Sequence, residues 1–496
     1  MDELTAISCF GRQVVASASR SGWGRLSPQR LEGSGMSELA DRTATDLVAG
    51  YRAGEFSPVE VLDSVLERVE SCEPKLCATY ALDPEAARTA ARDSAQRWRN
   101  GTPAGPLDGV PVTLKENIAT RGVPVPLGTA ASELVPAEQD APAAARLRES
   151  GAVIFAKTTM PDYGMLSSGV SSFHPLTRNP WDLTRTPGGS SSGAGAAAAA
   201  GYGPLHLGSD IGGSIRLPAG WCGVVGFKPS YGRIPVDPPY YGRTLGPLTR
   251  AVADAALLTS VVSVPDDRDH TALPAIESEW LDLDGQLRGK RFGLLLDQQV
   301  GLPVDETVSA AVSAAARTLE AAGAVVEPIP PFLTRDMLDG LDRFWRFRFW
   351  TEISALPPQR RSKVLPEIAE WASSARDISA AELYTGFSQM DAIAKAAVAA
   401  VRDIDYVLSP TAPIPAFRAE LAYPTEDPLR PLEHIAFTLP YNMSGQPALS
   451  INCGWTPDGL PIGLQIAGKR FDDLGVLRVA GAYERLRLAQ RPWPQP

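Results

Sequence analysis

Two glycine- and serine-rich stretches near the middle of the chain could carry nucleophilic chemistry. The first is PGGSSSGAGAAAAAG at residues 187–201, and the second is SDIGGSIRLPAG at residues 209–220. Gly212 and Gly213 allow unusual backbone angles directly before Ser214. Consecutive N–H groups in such a turn can converge on one point, the arrangement that stabilises an oxyanion. The pattern is typical of a serine nucleophile, and from this motif alone an ordinary Gly-Gly turn stays open.

The first stretch has three interpretations. A phosphate-binding loop needs the pattern GxxxxGK[ST], and no lysine stands in the required place. A flexible linker is disfavoured because structured-looking sequence flanks the stretch on both sides. Residues 194–200 are good helix formers, with serine and glycine at their start. We therefore predict a buried helix of small residues behind a serine-rich turn.

A serine nucleophile needs a base, and histidine is the usual one. The chain has only His174, His206, His270 and His434, and none lies in a recognisable catalytic motif, although His174 and His206 stay open. Lys115 is the other candidate, because GVPVTLKENI places a cation on an otherwise apolar predicted strand. Burial disfavours the charged ammonium and would allow this lysine to act as a base. A strand end in water is the alternative.

Composition narrows the function classes. The 496 residues are 44% hydrophobic and 21% charged, as in an ordinary soluble globular protein. A net charge of −10 and the lack of a basic block argue against nucleic acid as the main partner. No apolar run reaches the ~18 residues that span a bilayer. The five cysteines form no CxxC pair, which favours free thiols, and Cys72 and Cys77 lack the further ligands of a zinc site.

Helices and strands alternate around the motifs. Amphipathic helices are predicted over ATDLVAGYRAGEFSPVEVLDSVLERVE, with Ser57 as an N-cap before Pro58, and over residues 83–98. Short apolar runs such as GVPVTLKENI, RFGLLLD and DIDYVLSP then alternate with helical segments. This alternation predicts an α/β fold with a large mixed, mostly parallel central sheet and helices on both faces.

The chain is predicted to hold one main domain. Residues 1–35 lack periodicity and are expected to be a disordered or non-core extension, with Met36 as an alternative natural start. Residues 36–496 would form the domain, comprising N-terminal helices, a catalytic core and a substrate-funnel insertion at about residues 330–435.

Taken together, these motifs resemble the amidase signature family. The matching segments occur in the family's order across most of residues 37–470: GPLDGVPVTLKENI, LRESGAVIFAKTTMPDYG, TRNPWDLTRTPGGSSSGAGAAAAAG, LGSDIGGSIRLPAGWCGVVGFKPSYGRIP and YNMSGQPALSINCGWTPDGLPIGLQIAG. The resemblance implies the fold of that family and hydrolysis of amide bonds.

The resemblance also implies a Ser–cisSer–Lys triad. By motif, Ser214 is the nucleophile, Ser190 the bridging serine after a cis peptide bond, and Lys115 the base. The implied oxyanion-hole amides belong to Ile211, Gly212, Gly213 and Ser214, and the implied supporting residues are Ser191, Asp210 and Arg216. Glu116 follows the lysine where many relatives have aspartate.

The implied mechanism needs no metal and no organic cofactor. Neutral Lys115 takes a proton from Ser190, which takes one from Ser214 as that serine attacks the carbonyl. The proton returns through Ser190 to the leaving amine, because an amide anion cannot leave. Water then hydrolyses the acyl-enzyme by the reverse route.

The substrate pocket is the least specified part of the sequence. In DRFWRFRFWTEI, helical spacing places Trp345 and Phe349 on one face. A core helix and an aromatic wall beside the substrate both stay open. The further predicted substrate contacts are Tyr240, Tyr241, His174, Gly188 and Gly189. A pocket of this kind favours small apolar or aryl amides, including anilides, aliphatic amides and carbamates.

Two other functions remain as alternatives. The glutaminase subunit of a tRNA-dependent amidotransferase shares the core, although no clamp for the glutamine α-amino and α-carboxylate groups is recognisable. A catalytically inactive binding protein is the other, and the complete Ser–Ser–Lys set argues against it. The expected partner is a small amide, without nucleic acid or membrane. Since relatives are often dimers, a homodimer is left open, and the expected location is cytoplasmic.

Overall fold

One mixed sheet organises the chain. The computed structural model describes residues 36–425 and 427–496, and the predicted extension at residues 1–35 lies outside the described residues. Across that described range the sheet has eleven strands in the order β1-β3-β2-β4-β6-β5-β10-β11-β9-β7-β8. The strands are β1 (Thr79–Tyr80), β2 (Pro111–Lys115), β3 (Val153–Thr158), β4 (Leu205–Asp210), β5 (Val225–Lys228), β6 (Thr244–Thr249), β7 (Arg291–Leu294), β8 (Val325–Pro328), β9 (Tyr406–Pro410), β10 (Ala448–Trp455) and β11 (Pro461–Ala467).

The mixed α/β sheet confirms the predicted class, but its mostly parallel character is corrected. Among the described strands, six neighbouring pairs are antiparallel and four are parallel. The reason lies in the connections. A parallel pair needs a crossover of a dozen or more residues, usually a helix. The turn at residues 456–460 is too short for one, and the 229–243 connection between β5 and β6 contains no helix.

Fourteen α-helices within the described ranges pack on or beside this sheet. They are α1 (Ala44–Ala53), α2 (Pro58–Leu76), α3 (Pro84–Arg99), α4 (Pro142–Glu149), α5 (Ser192–Ala200), α6 (Arg216–Cys222), α7 (Val252–Val262), α8 (Glu306–Ala321), α9 (Arg335–Ser354), α10 (Pro358–Arg361), α11 (Pro366–Ser373), α12 (Ala380–Ala400), α13 (Pro440–Met443) and α14 (Asp473–Leu486). Three 3₁₀ turns accompany them, at Met36–Asp41, Asp162–Gly164 and Glu433–Ile435.

Local sequence signals fix the helix starts. The predicted N-cap at Ser57 is confirmed, because its Oγ accepts from the Glu60 backbone N–H at 3.3 Å. The Glu60 carboxylate in turn accepts from the Ser57 backbone N–H at 2.7 Å, which completes a capping box.

Strand β5 separates two layers of helices. Val225 and Phe227 pack in the same apolar cluster as residues of α7, namely Val252, Ala255 and Ala256. Gly226 between them faces the other way, since a Cβ on it would lie 2.5 Å from the Ala219 Cβ of α6. Because successive strand residues point to opposite faces, α6 and α7 cover opposite sides of the sheet.

Helix α5 confirms the predicted buried helix of small residues. All nine of its residues are buried. A Cβ on Gly193 would lie 2.1 Å from the Ala78 carbonyl oxygen, and one on Gly195 would lie 2.9 Å from the Pro218 Cβ. Only very small side chains let the helix approach its neighbours this closely, and this packing holds the serine-rich turn before α5 against the sheet.

Helices α9, α11 and α12 pack together around a further apolar cluster. Trp345, Phe349, Trp371 and Ile393 lie in it, together with Leu217 of α6. The region of the predicted funnel therefore packs directly against the helix that follows Ser214. Over the described residues, no helix is both long and apolar enough to cross a membrane.

Candidate active site

Lys115 ends strand β2, and its side chain is fully buried. Its Nζ atom lies 2.8 Å from the Ser190 Oγ and 3.2 Å from the Ser191 Oγ. Burial lowers the pKa of Lys115 to about 7, against the opposing effect of the Asp210 and Glu116 carboxylates. The alternative of a lysine at a strand end in water is therefore wrong, and the amine is available in its neutral form near neutral pH.

Ser190 lies on the serine-rich turn before α5. The Gly189–Ser190 peptide bond is cis, where the resemblance expects one. A Cβ on Gly189 would lie 2.7 Å from the Leu166 carbonyl oxygen, and one on Gly164 would lie 3.2 Å from the Ser190 Oγ. Both glycines let the surrounding backbone close around the serine, which is itself buried.

Ser214 lies on the turn between β4 and α6, and it is partly exposed. The Ser191 backbone N–H donates to the Ser214 carbonyl oxygen at 3.1 Å, so the two serine-bearing turns are joined directly. The structure therefore brings Lys115, Ser190 and Ser214 into one region, although the first and last are far apart in the chain.

A buried ion pair shapes the Ser214 turn. Arg216 donates two hydrogen bonds to the Asp210 carboxylate, at 2.9 and 3.0 Å. The same carboxylate accepts from the backbone N–H groups of Gly213 at 2.8 Å and Ile215 at 3.0 Å. Burial raises the pKa of Asp210, but the adjacent Arg216 charge outweighs it and holds the pKa well below its usual range. Asp210 therefore stays ionised and fixes the turn.

The remaining donors of Arg216 reach residues that the sequence did not single out. Its guanidinium donates to the Thr438 carbonyl oxygen at 2.8 Å and to the side-chain oxygens of Gln465 at 2.7 Å and Asn442 at 2.6 Å. The Asn442 amide also donates to Asp210 at 2.9 Å. A lone polar residue in an apolar run, such as Gln465 in PIGLQIA, is the signal that could have found them.

The implied oxyanion hole is modified at one position. The N–H of Gly213 is already bonded to Asp210, so it does not point freely into the site. The N–H groups of Ile211, Gly212 and Ser214 have no acceptor among the described residues. Three of the four implied amides are thus available to an oxyanion.

The two candidate histidines are engaged elsewhere. The His174 Nε2 lies 2.6 Å from the Glu116 carboxylate, and its ring packs against Tyr80 with centroids 5.3 Å apart. The His206 Nδ1 lies 2.8 Å from the Thr113 Oγ1, and burial lowers the pKa of His206 to about 3. Neither is hydrogen-bonded to Ser190 or Ser214 in the described structure, so neither is placed as their base.

The aromatic helix α9 packs in the core and also reaches the Ser214 turn. Phe349 is buried and packs against Tyr163 and Trp371, at centroid distances of 5.9 and 6.0 Å, as a core residue does. Trp345 is equally buried, but its ring also covers the Ser214 turn, because a Cβ on Gly212 would lie 3.3 Å from its Cη2. The Trp345 Nε1 has no hydrogen-bond acceptor among the described residues.

The two predicted tyrosines behave differently. The hydroxyl of Tyr241 donates to the Met443 carbonyl oxygen at 3.0 Å, which ties the tyrosine to α13. The Tyr240 ring contacts two cations, with the Arg348 and Arg243 guanidinium carbons 4.0 and 5.3 Å from its centroid. Gly188 has a packing role, because a Cβ there would lie 2.8 Å from the Pro218 Cα.

Comparisons with known proteins agree with this arrangement. A family model described as Amidase matches residues 60–477. The chain is 36% identical to one subunit of the glutamyl-tRNA(Gln) amidotransferase of Myxococcus xanthus, over 90% of this chain and 98% of that protein. It is 35% identical to the corresponding protein of Chloroflexus aurantiacus, over 91% of this chain and 98% of that protein.

Solved structures of related enzymes superpose along nearly the whole chain. A bacterial aryl acylamidase matches with a TM-score of 0.83 and 29% identity, over 90% of this chain and 96% of that one. 6-Aminohexanoate cyclic dimer hydrolase matches with a TM-score of 0.82 and 28% identity, over 92% and 99%. The resemblance seen in the sequence is thereby confirmed, and this chain belongs to the amidase signature family of amide C–N hydrolases.

Proposed function

We propose that the chain hydrolyses small amides through an acyl-enzyme on Ser214, with Ser190 and Lys115 relaying the proton. The observation that carries the proposal is the 2.8 Å contact between the Lys115 Nζ and the Ser190 Oγ, both of them on buried side chains. A buried lysine beside a serine hydroxyl, without a carboxylate hydrogen-bonded to it in the described structure, is suited to proton abstraction rather than to an ion pair.

The relay begins with neutral Lys115. A pKa of about 7 leaves a large share of this amine unprotonated at neutral pH. The amine accepts the Ser190 proton while Ser190 accepts the proton of Ser214. The hydrogen bond between Ser191 and Ser214 supports this step, because it holds the two turns at a fixed separation.

The Ser214 Oγ then attacks the amide carbon, and the C–O bond forms as the carbonyl oxygen becomes an oxyanion. The N–H groups of Ile211, Gly212 and Ser214 are proposed to stabilise that charge. The proton passes back through Ser190 to the nitrogen, the C–N bond breaks and the amine leaves. Water attacks the ester by the reverse route and restores Ser214.

Alanine variants test the relay. Ser214→Ala and Lys115→Ala are each expected to lower kcat/KM by about 10⁴-fold or more, because residues that act as a unit fail together. Ser362→Ala is the matched control, since Ser362 is exposed and distant in the chain. Near-normal turnover in Lys115→Ala would remove the lysine from the mechanism.

Two substrate classes are proposed, each supported by a different comparison. The curated relatives support the glutaminase role within an amidotransferase, because they match over 98% of their own length at 35–36% identity. The aryl acylamidase, at 29% identity, supports small aryl amides, as does the aromatic ring of Trp345 over Gly212. The curated relatives are the stronger support, so glutamine is the first substrate to test.

A hydrolysis screen separates the classes. Glutamine, p-nitroanilides, aliphatic amides, carbamates and ureas are offered to the purified chain, and ammonia or amine release is measured. Turnover of glutamine with inert anilides assigns the glutaminase role and implies a partner protein that uses the ammonia. Turnover of anilides or carbamates with inert glutamine assigns a free-standing amidase.

A further inference from the structure

We infer that the amide substrate carries a carboxylate and that Arg243 binds this group beside the Ser214 turn. The inference rests on the proposed function, since it names the chemical class of amide that the same site takes. Arg243 belongs neither to the triad nor to the Asp210–Arg216 pair that supports it, and its backbone amide is not one of those implied for the oxyanion hole.

The backbone around Arg243 is fixed next to the catalytic turn. Thr244, the next residue, lies opposite Asp210 in the antiparallel β4–β6 pair, so their Cα atoms are about 4.5–5.5 Å apart. Gly242, the preceding residue, accepts a 3.1 Å hydrogen bond from the Asn442 amide that also binds Asp210. Arg243 is therefore held on both sides by the network that shapes the Ser214 turn.

The Arg243 guanidinium lacks a partner of its own. The side chain is only partly exposed, and it forms no hydrogen bond or ion pair with any residue in 36–425 or 427–496. It contacts the Tyr240 ring, with the guanidinium carbon 5.3 Å from the centroid. Arginine stays protonated in proteins. The Arg243 guanidinium nitrogens are open to solvent, because none of them is a buried polar atom without a partner. An anion that enters the site can therefore pair with this charge without displacing a protein counter-ion.

Two polar groups near Arg243 also lack hydrogen-bond partners. The Tyr240 hydroxyl and the Trp345 Nε1 are buried and have no hydrogen-bond partner among the described residues. Trp345 covers Gly212, and Arg348, one helical turn further along α9, lies on Tyr240 at 4.0 Å. One turn of α9 therefore bridges the Ser214 turn and the Tyr240–Arg243 pair.

The charges favour an anion over a neutral group. Arg348 is paired with Glu352 at 3.0 Å, whereas the Arg243 side chain has no acidic partner among the described residues. Arg243 is left as the uncompensated cation of this cluster, with Glu352 acting on it only at longer range. A carboxylate matches the planar fork of a guanidinium with two parallel hydrogen bonds. Amides of this class include monoamides of dicarboxylic acids, glutamine and carboxyanilides.

Matched substrates and variants test the inference. The substrate pairs are glutaramate with pentanamide and 4-acetamidobenzoate with acetanilide, which differ only in the carboxylate; glutamine is added to test an α-ammonium group. At constant ionic strength, the carboxylate member is expected to have the higher kcat/KM in at least one pair. Arg243→Gln is expected to lower that preference about 10- to 100-fold, and Arg243→Lys to retain part of it.

The control is Arg291→Gln, because Arg291 is exposed and paired with Glu327 at 2.8 Å on the distant strand β7. It should keep the wild-type preference. The inference is wrong if the neutral members are hydrolysed faster and Arg243→Gln leaves the ratio of the two kcat/KM values unchanged. The proposed function stands in that case, because amides are still hydrolysed.

Loss of the proposed function has a different signature. In that case no amide is hydrolysed and a fluorophosphonate leaves Ser214 unlabelled. Calorimetric binding of glutarate then decides the matter: binding by the wild type and Arg291→Gln but not by Arg243→Gln supports the carboxylate site, and equal binding or none overturns it.

Discussion

The Nζ atom of Lys115 lies 2.8 Å from the Oγ atom of Ser190, across 75 positions of sequence. The lysine ends a strand buried between β3 and β4, whereas the serine lies on the turn that leads into α5. The contact depends on α5, whose glycines allow its close approach to the backbone and to α6. The contact that the proposed mechanism needs is thus a consequence of packing between a strand and a helix of very small residues.

The pH dependence of turnover follows from the burial of Lys115. Burial brings the pKa of this amine to about 7, and only the neutral form can accept a proton. We expect kcat/KM to rise with pH through about 7 and to level off above it. A pH–rate profile checks this, and a curve that keeps rising toward pH 10, the range of an ordinary lysine, would contradict a buried base.

The Asp210–Arg216 pair is predicted to be essential for stability as well as activity. Asp210→Ala leaves Arg216 buried without its main counter-ion, which costs about 3–5 kcal/mol of unfolding free energy. Glu327→Gln is the matched control, because its ion pair with Arg291 is about half exposed and is worth about 1 kcal/mol or less. Urea unfolding compares the two, and equal losses would contradict the prediction.

Gly193 is predicted to be irreplaceable in α5. A Cβ there would lie 2.1 Å from the Ala78 carbonyl oxygen, an atom of the backbone that cannot swing away. Gly193→Ala should cost about 1–3 kcal/mol or more and reduce turnover by shifting Ser190. Gly54→Ala is a suitable control for the added methyl group, because nothing lies within 4 Å of its Cβ position, although its φ of +69° carries its own cost.

Trp345 is predicted to influence both the fold and the site, unlike Phe349. Each substitution by alanine removes a buried ring and should cost about 3–5 kcal/mol. Of these two rings, Trp345 is the one that lies against Gly212, so Trp345→Ala should raise KM for amides beyond the effect of Phe349→Ala. Stability and kinetics measured on both variants test this. Identical KM values would show that Trp345 is a core residue only.

Local patterns in the sequence predicted the elements that carry the site. Helix α5 was predicted because its residues are almost all small, and the N-cap at Ser57 because capping needs only neighbouring residues. Lys115 stood out as a cation on an apolar strand. Such features depend on adjacent side chains and on hydrophobic periodicity, which can be recognised in the sequence before the fold is known.

Features that depend on distant pairing were not predictable in this way. The antiparallel pairs in the sheet follow from which strands meet. Asn442 and Gln465 join Arg216 from more than 200 positions away. The position of Gln465 in an apolar run marks it as unusual, but no local pattern identifies Arg216 as its partner. The hydrogen bond from the Gly213 N–H to Asp210 was not predictable either. The glycines indicated a turn, but not the direction in which this N–H points.

The identity of the nucleophile is the claim on which the other predictions depend, and covalent labelling tests it most directly. The wild type and Ser214→Ala are treated with a fluorophosphonate, digested and mapped by mass spectrometry. We predict a single adduct on Ser214 in the wild type and none in the variant. An adduct on Ser190 or another residue, or equal labelling of both proteins, would contradict the account.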